Sequence, residues 1–488
     1  MGVKAPTNEK KLRCKEIHMI KLISIIVLMA ISLPACTGST DSINNVPPIV
    51  DIPGVGEGVG LGVCAGFYKP DFTPVMGDVN AVPSASLQSQ KPRKGVRYTD
   101  PVFKTCVTRA TDWQKDSVTN FAIPFYARSQ AFNADSSKFI VVANDGFWHL
   151  YNTEDLSHIR QVSLGGFDVE INWHSTNPDI LYRMPMNGGL SILSHDISDP
   201  TDKTVEVVAD FTNVNSITGY PGAKDIRDVW EGATRFYTAS EGSPSADSRY
   251  WALLGVSENF NTSYGIIVYD MQANSIIGVY DFVTNGGGVG GPNNVTMSPN
   301  GNYVVAIWGP ENTCRGSLGN FAKPCGTMAF NRTLSGGKGI TMAGEHGDTA
   351  IGMSGKDVYI AVEYDPSGSI QIFDLETGNL ISRPYTNTWE GAMHFSGKAF
   401  NKPGWAIMST YGQTSNNGFD NRIVAISLSS EPQIINLSHH YTNATDYNSQ
   451  PHATVNRQGT KILFGSSWGA AGNADTYLIS LPSSFTDL

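Results

Sequence analysis

A polar turn followed by a dense run of β-formers recurs along the chain. It can be read seven times: "NADSSKFIVVA" from Asn133, "STNPDILYRM" from Ser175, "SADSRYWALLG" from Ser245, "SPNGNYVVAIW" from Ser298, "MSGKDVYIAV" from Met353, "FNKPGWAIMS" from Phe400 and "NRQGTKILFGS" from Asn456. Third strands such as "WHLYN", "IIVYDM", "IQIFDL" and "IVAISL" follow in most copies. A strand–turn–strand unit repeated at this spacing is the signature of four-stranded blades. The expected fold is all-β, a seven-bladed β-propeller over residues 96–488, because radial repetition leaves no long exposed edge. "RYTDPVFKTCVTRAT" (97–111) is placed to give the last blade its outer strand and close the ring. Two separate β-sandwiches are the competing architecture, but no linker-like break divides the seven copies.

Composition agrees. The 488 residues include 50 Gly and 26 Pro with only 16% charged residues, which suits short strands joined by tight turns. The apolar stretch "LISIIVLMAISLPA" (22–35) follows a basic segment and is too short to span a bilayer, so residues 1–35 read as a sorting signal. Met19 offers an alternative start. The stretch ends in "LPAC", which resembles the lipobox of bacterial lipoproteins. That resemblance implies acylation of Cys36 and an outer-membrane or cell-surface location. Residues 36–95 read as a tether and lead-in.

The formal charge is −10, and removing the basic leader makes the remainder more acidic. Nucleic acid is therefore excluded as a partner, while a polyanionic substrate needs a local basic site. Nothing in the sequence calls for more than a monomer. Four cysteines remain beyond Cys36. In an exported protein the expected pairs are Cys64 with Cys106 and Cys314 with Cys325, although spacing alone does not prove that connectivity. No CxxC occurs to support zinc.

In a propeller the residues just before each polar turn lie on innermost strands around the central channel. Successive blades offer Arg128 and Gln130, Glu170 and His174, Arg235 and Glu241, Asn293 and Asn294, His346 and Asp348, His394, and finally Gln450 and His452. His346, His394 and His452 fall at matching places in the last three blades. Converging imidazoles suit one divalent metal, zinc or manganese by ligand type, with calcium also considered. The alternative is that each histidine bonds the neighbouring blade.

A second group lies earlier: His149 in "GFWHLYN", His174 in "INWHSTNPD", Tyr220 in "TGYPGAKD" and Arg235 in "GATRFYT". Trp148 and Trp173 beside the histidines offer sugar-stacking faces or blade packing. "GGGVGG" (286–291) satisfies a dinucleotide pattern but precedes Pro292 and a strand, so it reads as a loop. No GxSxG elbow is present. His439 and His440 are expected to face solvent in a polar loop.

Phrases such as "EGSPSADSRYWALL", "PGWAIMSTYG" and "QPHATVNRQGTKILFGSSWG", with the order His, His, Tyr, Arg, resemble the ulvan lyase-like propeller polysaccharide lyases. The inner-strand Gln and His pattern is also similar to oligogalacturonate lyase, in which the corresponding cluster holds a divalent metal that meets a uronate carboxylate. The resemblance implies β-elimination beside a uronic acid in an acidic, sulfated polysaccharide. Arg235 is then expected to neutralise the carboxylate, His149 or His174 to act as base, and Tyr220 as base or acid. Arg128, Arg249, Tyr250, Trp148 and Trp173 are the expected substrate contacts, and Arg249 and Tyr250 compete with Arg235 and Tyr220 for the catalytic roles. A non-catalytic glycan-binding or scaffold propeller, and a metal-dependent hydrolase or oxidoreductase, are the readings from other classes.

Overall fold

The computed structural model describes residues 63–482 except 78, 117–120, 167–168, 186, 310–311, 345, 364–367, 387–391, 413–418 and 471–472. Cys36 and the sorting signal lie outside the described residues. Hydrogen bonding resolves six sheets, all but one of four or five strands. The exception has nine strands and consists of two antiparallel meanders, 122–162 and 454–480 with 97–109, joined where Asp475 pairs in parallel with Ala122. The other meanders run over 171–210, 235–281, 294–341, 347–386 and 392–439. The fold is an all-β propeller, and its first and last meanders lie side by side.

Closure comes from the start of the described chain. Cys106–Arg109 pairs antiparallel with Asp475–Ser480, so an early segment supplies an outer strand to the last meander. Arg97–Thr99 adds a further strand. Cys64 is disulfide-bonded to Cys106 and Cys314 to Cys325, the expected pairs.

The recurrent polar turn has a structural purpose beyond reversing the chain. In "SPNGNY" the Ser298 hydroxyl accepts from Tyr303 N at 3.0 Å, an internal brace for the turn. The same hydroxyl donates to Asp357 Oδ2 of the next meander at 2.9 Å, and Asn300 N donates to Asp357 Oδ1 at 2.9 Å. Gly301 sits at φ +71, where a Cβ would approach Tyr250 Cδ2 to 2.5 Å, so glycine is required twice over.

Similar turn contacts link other neighbours. Asn133 Nδ2 reaches Pro178 O, Ala246 N reaches Pro299 O, Gly404 N reaches Ile351 O, and Asn401 N reaches Arg457 O. Asn456 Nδ2 reaches Ser136 Oγ, which joins the last turn to the first. Between the second and third meanders the link is the Glu170 carboxylate, which accepts from Thr238 N at 2.8 Å and Thr238 Oγ at 2.9 Å. Polar turns thus hold apolar sheets in a ring, and the sheets themselves are buried on both faces, as in "KILFGS" (Lys461–Ser466).

His439 and His440 do not face solvent. His439 ends the strand Ile434–His439, is fully buried, and stacks on Phe103 with ring centroids 4.8 Å apart. The turn at Asp100 folds over that strand, and Asp100 Oδ2 accepts from His439 N at 3.1 Å. His440 Nε2–H donates to Thr410 O at 2.7 Å. The histidines follow an apolar strand, and burial of that strand carries them inside.

Candidate active site

Side chains from six meanders meet at one level of the innermost strands. His394 lies within Ala392–Ser396, His346 just ahead of Gly347–Ile351, and Gln450 and His452 just ahead of Thr454–Val455. Their rings are in contact: His346 to His394 at 5.1 Å and His394 to His452 at 4.5 Å between centroids. Gln450 Oε1 accepts from His394 Nε2 at 2.9 Å.

Tyr126 closes the group on another side, 5.1 Å from His394 and 5.2 Å from His452. Arg128 follows within the turn closed by Ser129 N donating to Tyr126 O at 3.0 Å, with its guanidinium 5.4 Å from the Tyr126 ring. Arg128 Nη1 pairs with Glu241 Oε2 at 2.8 Å, and Asn294 Nδ2 donates to the same oxygen at 3.0 Å. Tyr447 stacks 4.7 Å from His452 and is 44% exposed, so it forms the open side of the cluster.

The backbone is specialised here. His452 adopts φ 40, a left-handed conformation uncommon outside glycine and found at constrained functional positions. Tyr447 opens a single helical turn capped by Asp446, whose side chain accepts from Ser449 N while Ser449 Oγ accepts from Asp446 N.

The electrostatics keep the histidines neutral. Burial pulls the His394 pKa well below its ordinary value, and the neighbouring His452 and His346 add to this. Burial lowers His452 to about 4. Burial also opposes the Arg128 charge, but Tyr126 and Glu241 outweigh it and the guanidinium stays protonated.

Among the described residues, no three His, Cys, Asp or Glu side chains stand together as a ready metal-ligating group. The donor chemistry nevertheless fits one. His346 Nδ1 lies 2.9 Å from Met393 O, and a carbonyl only accepts, so the proton is on Nδ1 and the lone pair on Nε2. His452 Nε2–H likewise donates to Tyr447 O at 3.2 Å. His452 Nδ1 is left buried without a hydrogen-bond partner. Backbone carbonyls that fix the tautomer of a ligating imidazole are the usual outer support of a metal site, and an orphaned buried lone pair is costly without one.

The earlier group is not gathered in this way. His149 is 3% exposed, and its two nitrogens engage His158 Nε2 at 3.1 Å and Asp145 Oδ2 at 2.9 Å. A base needs a lone pair facing substrate, and His149 does not present one. His174 Nδ1 accepts from Thr176 N and Asn177 N, which makes it a turn acceptor. Tyr220 is exposed on a turn. Arg235 pairs with Glu258 and lies 5.2 Å from the Phe260 ring. Among the described residues, no contact of His149, His174 or Tyr220 reaches another member of the four.

Trp148 and Trp173 are 1% and 5% exposed, and their indole N–H groups donate to Gly166 O and Ala131 O. Both pack between sheets, and Trp173 also borders a small cavity. Arg249 grips Asp270 through two bonds of 3.0 and 2.8 Å, and Tyr250 lies between the guanidiniums of Arg249 and Arg332 at 4.8 and 4.3 Å. Sequence reasoning placed Arg128, Glu241, Asn294 and Gln450 on inner strands. It missed Tyr126, which lies in a turn where no strand periodicity marks it, and Tyr447.

No family model and no curated protein matches the sequence. The fold is similar to solved oligogalacturonate lyases. One, in complex with manganese, is 15% identical, with a TM-score of 0.51 over 80% of this chain and 96% of that one. Another, from Vibrio parahaemolyticus, is 14% identical, with a TM-score of 0.51 over 80% and 97%. At this identity the likeness shows the fold.

Proposed function

We propose that this chain is a polysaccharide lyase that cleaves beside a uronic acid by β-elimination at the His346–His394–Gln450–His452 end of the channel. The observation that carries the proposal is convergence: neutral imidazoles, one with an orphaned lone pair, meet a buried arginine beside an exposed tyrosine. The likeness of fold to oligogalacturonate lyase, and to the one crystallised with manganese, supports the same reading.

In this proposal His346 Nε2, His452 Nδ1 and His394 Nδ1 would hold a divalent cation of the zinc or manganese type, and the Gln450 carbonyl, bonded to His394 Nε2–H, fixes that tautomer. Bound there, the cation supplies positive charge to a uronate carboxylate, which acidifies the adjacent C5 proton. Arg128 adds a second permanent positive charge at the same level, and Glu241 and Asn294 fix its orientation. Tyr126 and Tyr411 wall the imidazoles, with Tyr411 stacked 4.9 Å from His394. The Tyr447 phenol, kept protonated at neutral pH because burial raises its pKa, is the group this reading assigns to give a proton to the departing O4.

The finer reading is a sulfated, ulvan-type substrate for a seven-bladed, monomeric lipoprotein acylated at Cys36, and it rests on the sequence resemblance. The assignment of His149, His174, Tyr220 and Arg235 as the catalytic group is the second reading of the same activity. A non-catalytic glycan-binding propeller is the reading from another class. Paired His394→Ala and Arg235→Ala variants, each checked for folding, decide the site. Loss of unsaturated product with His394→Ala alone supports the channel cluster, and loss with Arg235→Ala alone supports the earlier group.

A further inference from the structure

A small cavity lies on the same inner strands beyond the histidine cluster. Lys398 follows His394 by four residues, roughly 13 Å along an extended strand. The cavity, about 20 Å³, is lined by Gln130, Asn172, Trp173, Lys398, Phe400 and Arg457 among others. One water needs about 10–15 Å³ of such space, so the cavity admits one small polar group and not a whole sugar ring.

Its charges are unequally engaged. Lys398 Nζ is buried and pairs with Asp348 Oδ1 at 3.1 Å. Asp348 is further satisfied by Gly397 N at 2.8 Å and Thr349 N at 2.9 Å. Asp247 is occupied by Ser245 Oγ at 2.5 Å and Arg249 N at 3.1 Å. Arg457 differs from these groups. It donates one bond, Nη2 to Ala246 O at 2.7 Å, and its guanidinium lies 5.0 Å from the Phe400 ring. Among the described residues no carboxylate stands within ion-pair distance of it. Burial lowers its pKa, with Asp247 the opposing charge.

A half-buried guanidinium fixed at one nitrogen and stacked on a ring keeps most of its donor fork for a ligand. Asn172 strengthens the case. It is 8% exposed, lines the cavity, and its carboxamide makes no hydrogen bond among the described residues. A carboxamide with no internal partner keeps its donor and acceptor for a ligand in that space.

We propose that this cavity is an oxyanion site, in which Arg457 grips a single carboxylate or sulfate group and Asn172 bonds a second polar atom of the same ligand. The proposal does not depend on the lyase reading, since the two sites share no side chain. A carboxylate- or sulfate-bearing sugar and a free inorganic anion share this chemistry, so the test carries an arm for each.

The experiment is calorimetric titration of the full chain with sodium acetate, sodium sulfate and monomeric galacturonate. The expected result is saturable binding by at least one of them, weakened at least ~10-fold in Arg457→Gln. Galacturonate binding more tightly than acetate and sulfate identifies a sugar acid, whereas sulfate or acetate binding as tightly identifies a small oxyanion. Arg457→Lys and Asn172→Ala, each weakening binding, carry the test should Arg457→Gln not fold. Absence of saturable binding by all three, or unaltered binding in the Arg457 and Asn172 variants, overturns the proposal.

Discussion

His394 and His452 belong to neighbouring meanders, yet their rings stand 4.5 Å apart with Gln450 Oε1 bonded to His394 Nε2. Burial holds both imidazoles neutral, and the His452 Nδ1 lone pair has no partner, which is the basis of the proposal that this end of the channel is the site of chemistry.

His394→Ala and His452→Ala are each expected to reduce the affinity for manganese or zinc by more than ~10-fold, since ligand loss costs at least as much as loss of outer support. Calorimetric titration with the metal alone, on protein whose circular dichroism is unchanged, checks this. Wild-type affinity in both variants removes the metal from the account.

Arg128→Lys keeps a positive charge but loses the planar fork that pairs with Glu241. The variant is expected to lose activity by roughly 10-fold or more, and Arg128→Gln by more. Arg128 is buried, so thermal unfolding of both variants is measured alongside. A variant with normal stability and full turnover contradicts the role given to Arg128.

Glu170 gives a pH dependence with a defined sign. Burial pushes its pKa from 4.5 up to about 7, against the bonds from Thr238 N, Ser240 N and Thr238 Oγ. The folded chain holds this proton more tightly than the unfolded chain, so the stabilisation is complete below about pH 4.5 and is lost as pH rises through about 7. Urea unfolding of wild type and Glu170→Gln is expected to show a larger wild-type advantage at acidic than at alkaline pH. A difference that does not change across that window refutes the assignment.

The turn network predicts a stability effect far from the channel. Asp357 accepts from Ser298 Oγ, Asn300 N and Asn302 Nδ2, so Asp357→Ala strands three donors at a junction between meanders. The expected loss is about 1–3 kcal/mol in unfolding free energy, with little effect on metal affinity. Unfolding that matches wild type shows that the turns do not carry the ring.

Much of this was legible in the sequence. The turn-and-strand repeat pointed to the all-β architecture, since short dense runs of β-formers and turn chemistry are local signals. The matching positions of His346, His394 and His452 were legible because inner strands repeat at a fixed offset from each turn. Tyr126 and Tyr447 were not, because an aromatic residue in a propeller reads equally well as packing until a ring partner is seen. His439 and His440 read as loop residues for a related reason: the cover that buries them comes from Asp100 and Phe103, distant in sequence. His149 and Trp148 were attractive as neighbours on one strand, yet alternation places their side chains on opposite faces. Their partners, Asp145 and Gly166, belong to loops whose approach no local pattern encodes.

The most direct test of the central claim is the near-ultraviolet absorbance of the C4–C5 double bond formed by elimination. It is followed with metal-loaded protein on ulvan, pectate, alginate and glycosaminoglycans, beside His394→Ala. The account predicts a rise on one uronate-bearing polymer that His394→Ala abolishes. A flat trace on every polymer with folded, metal-loaded protein contradicts it and leaves a propeller that binds without cutting.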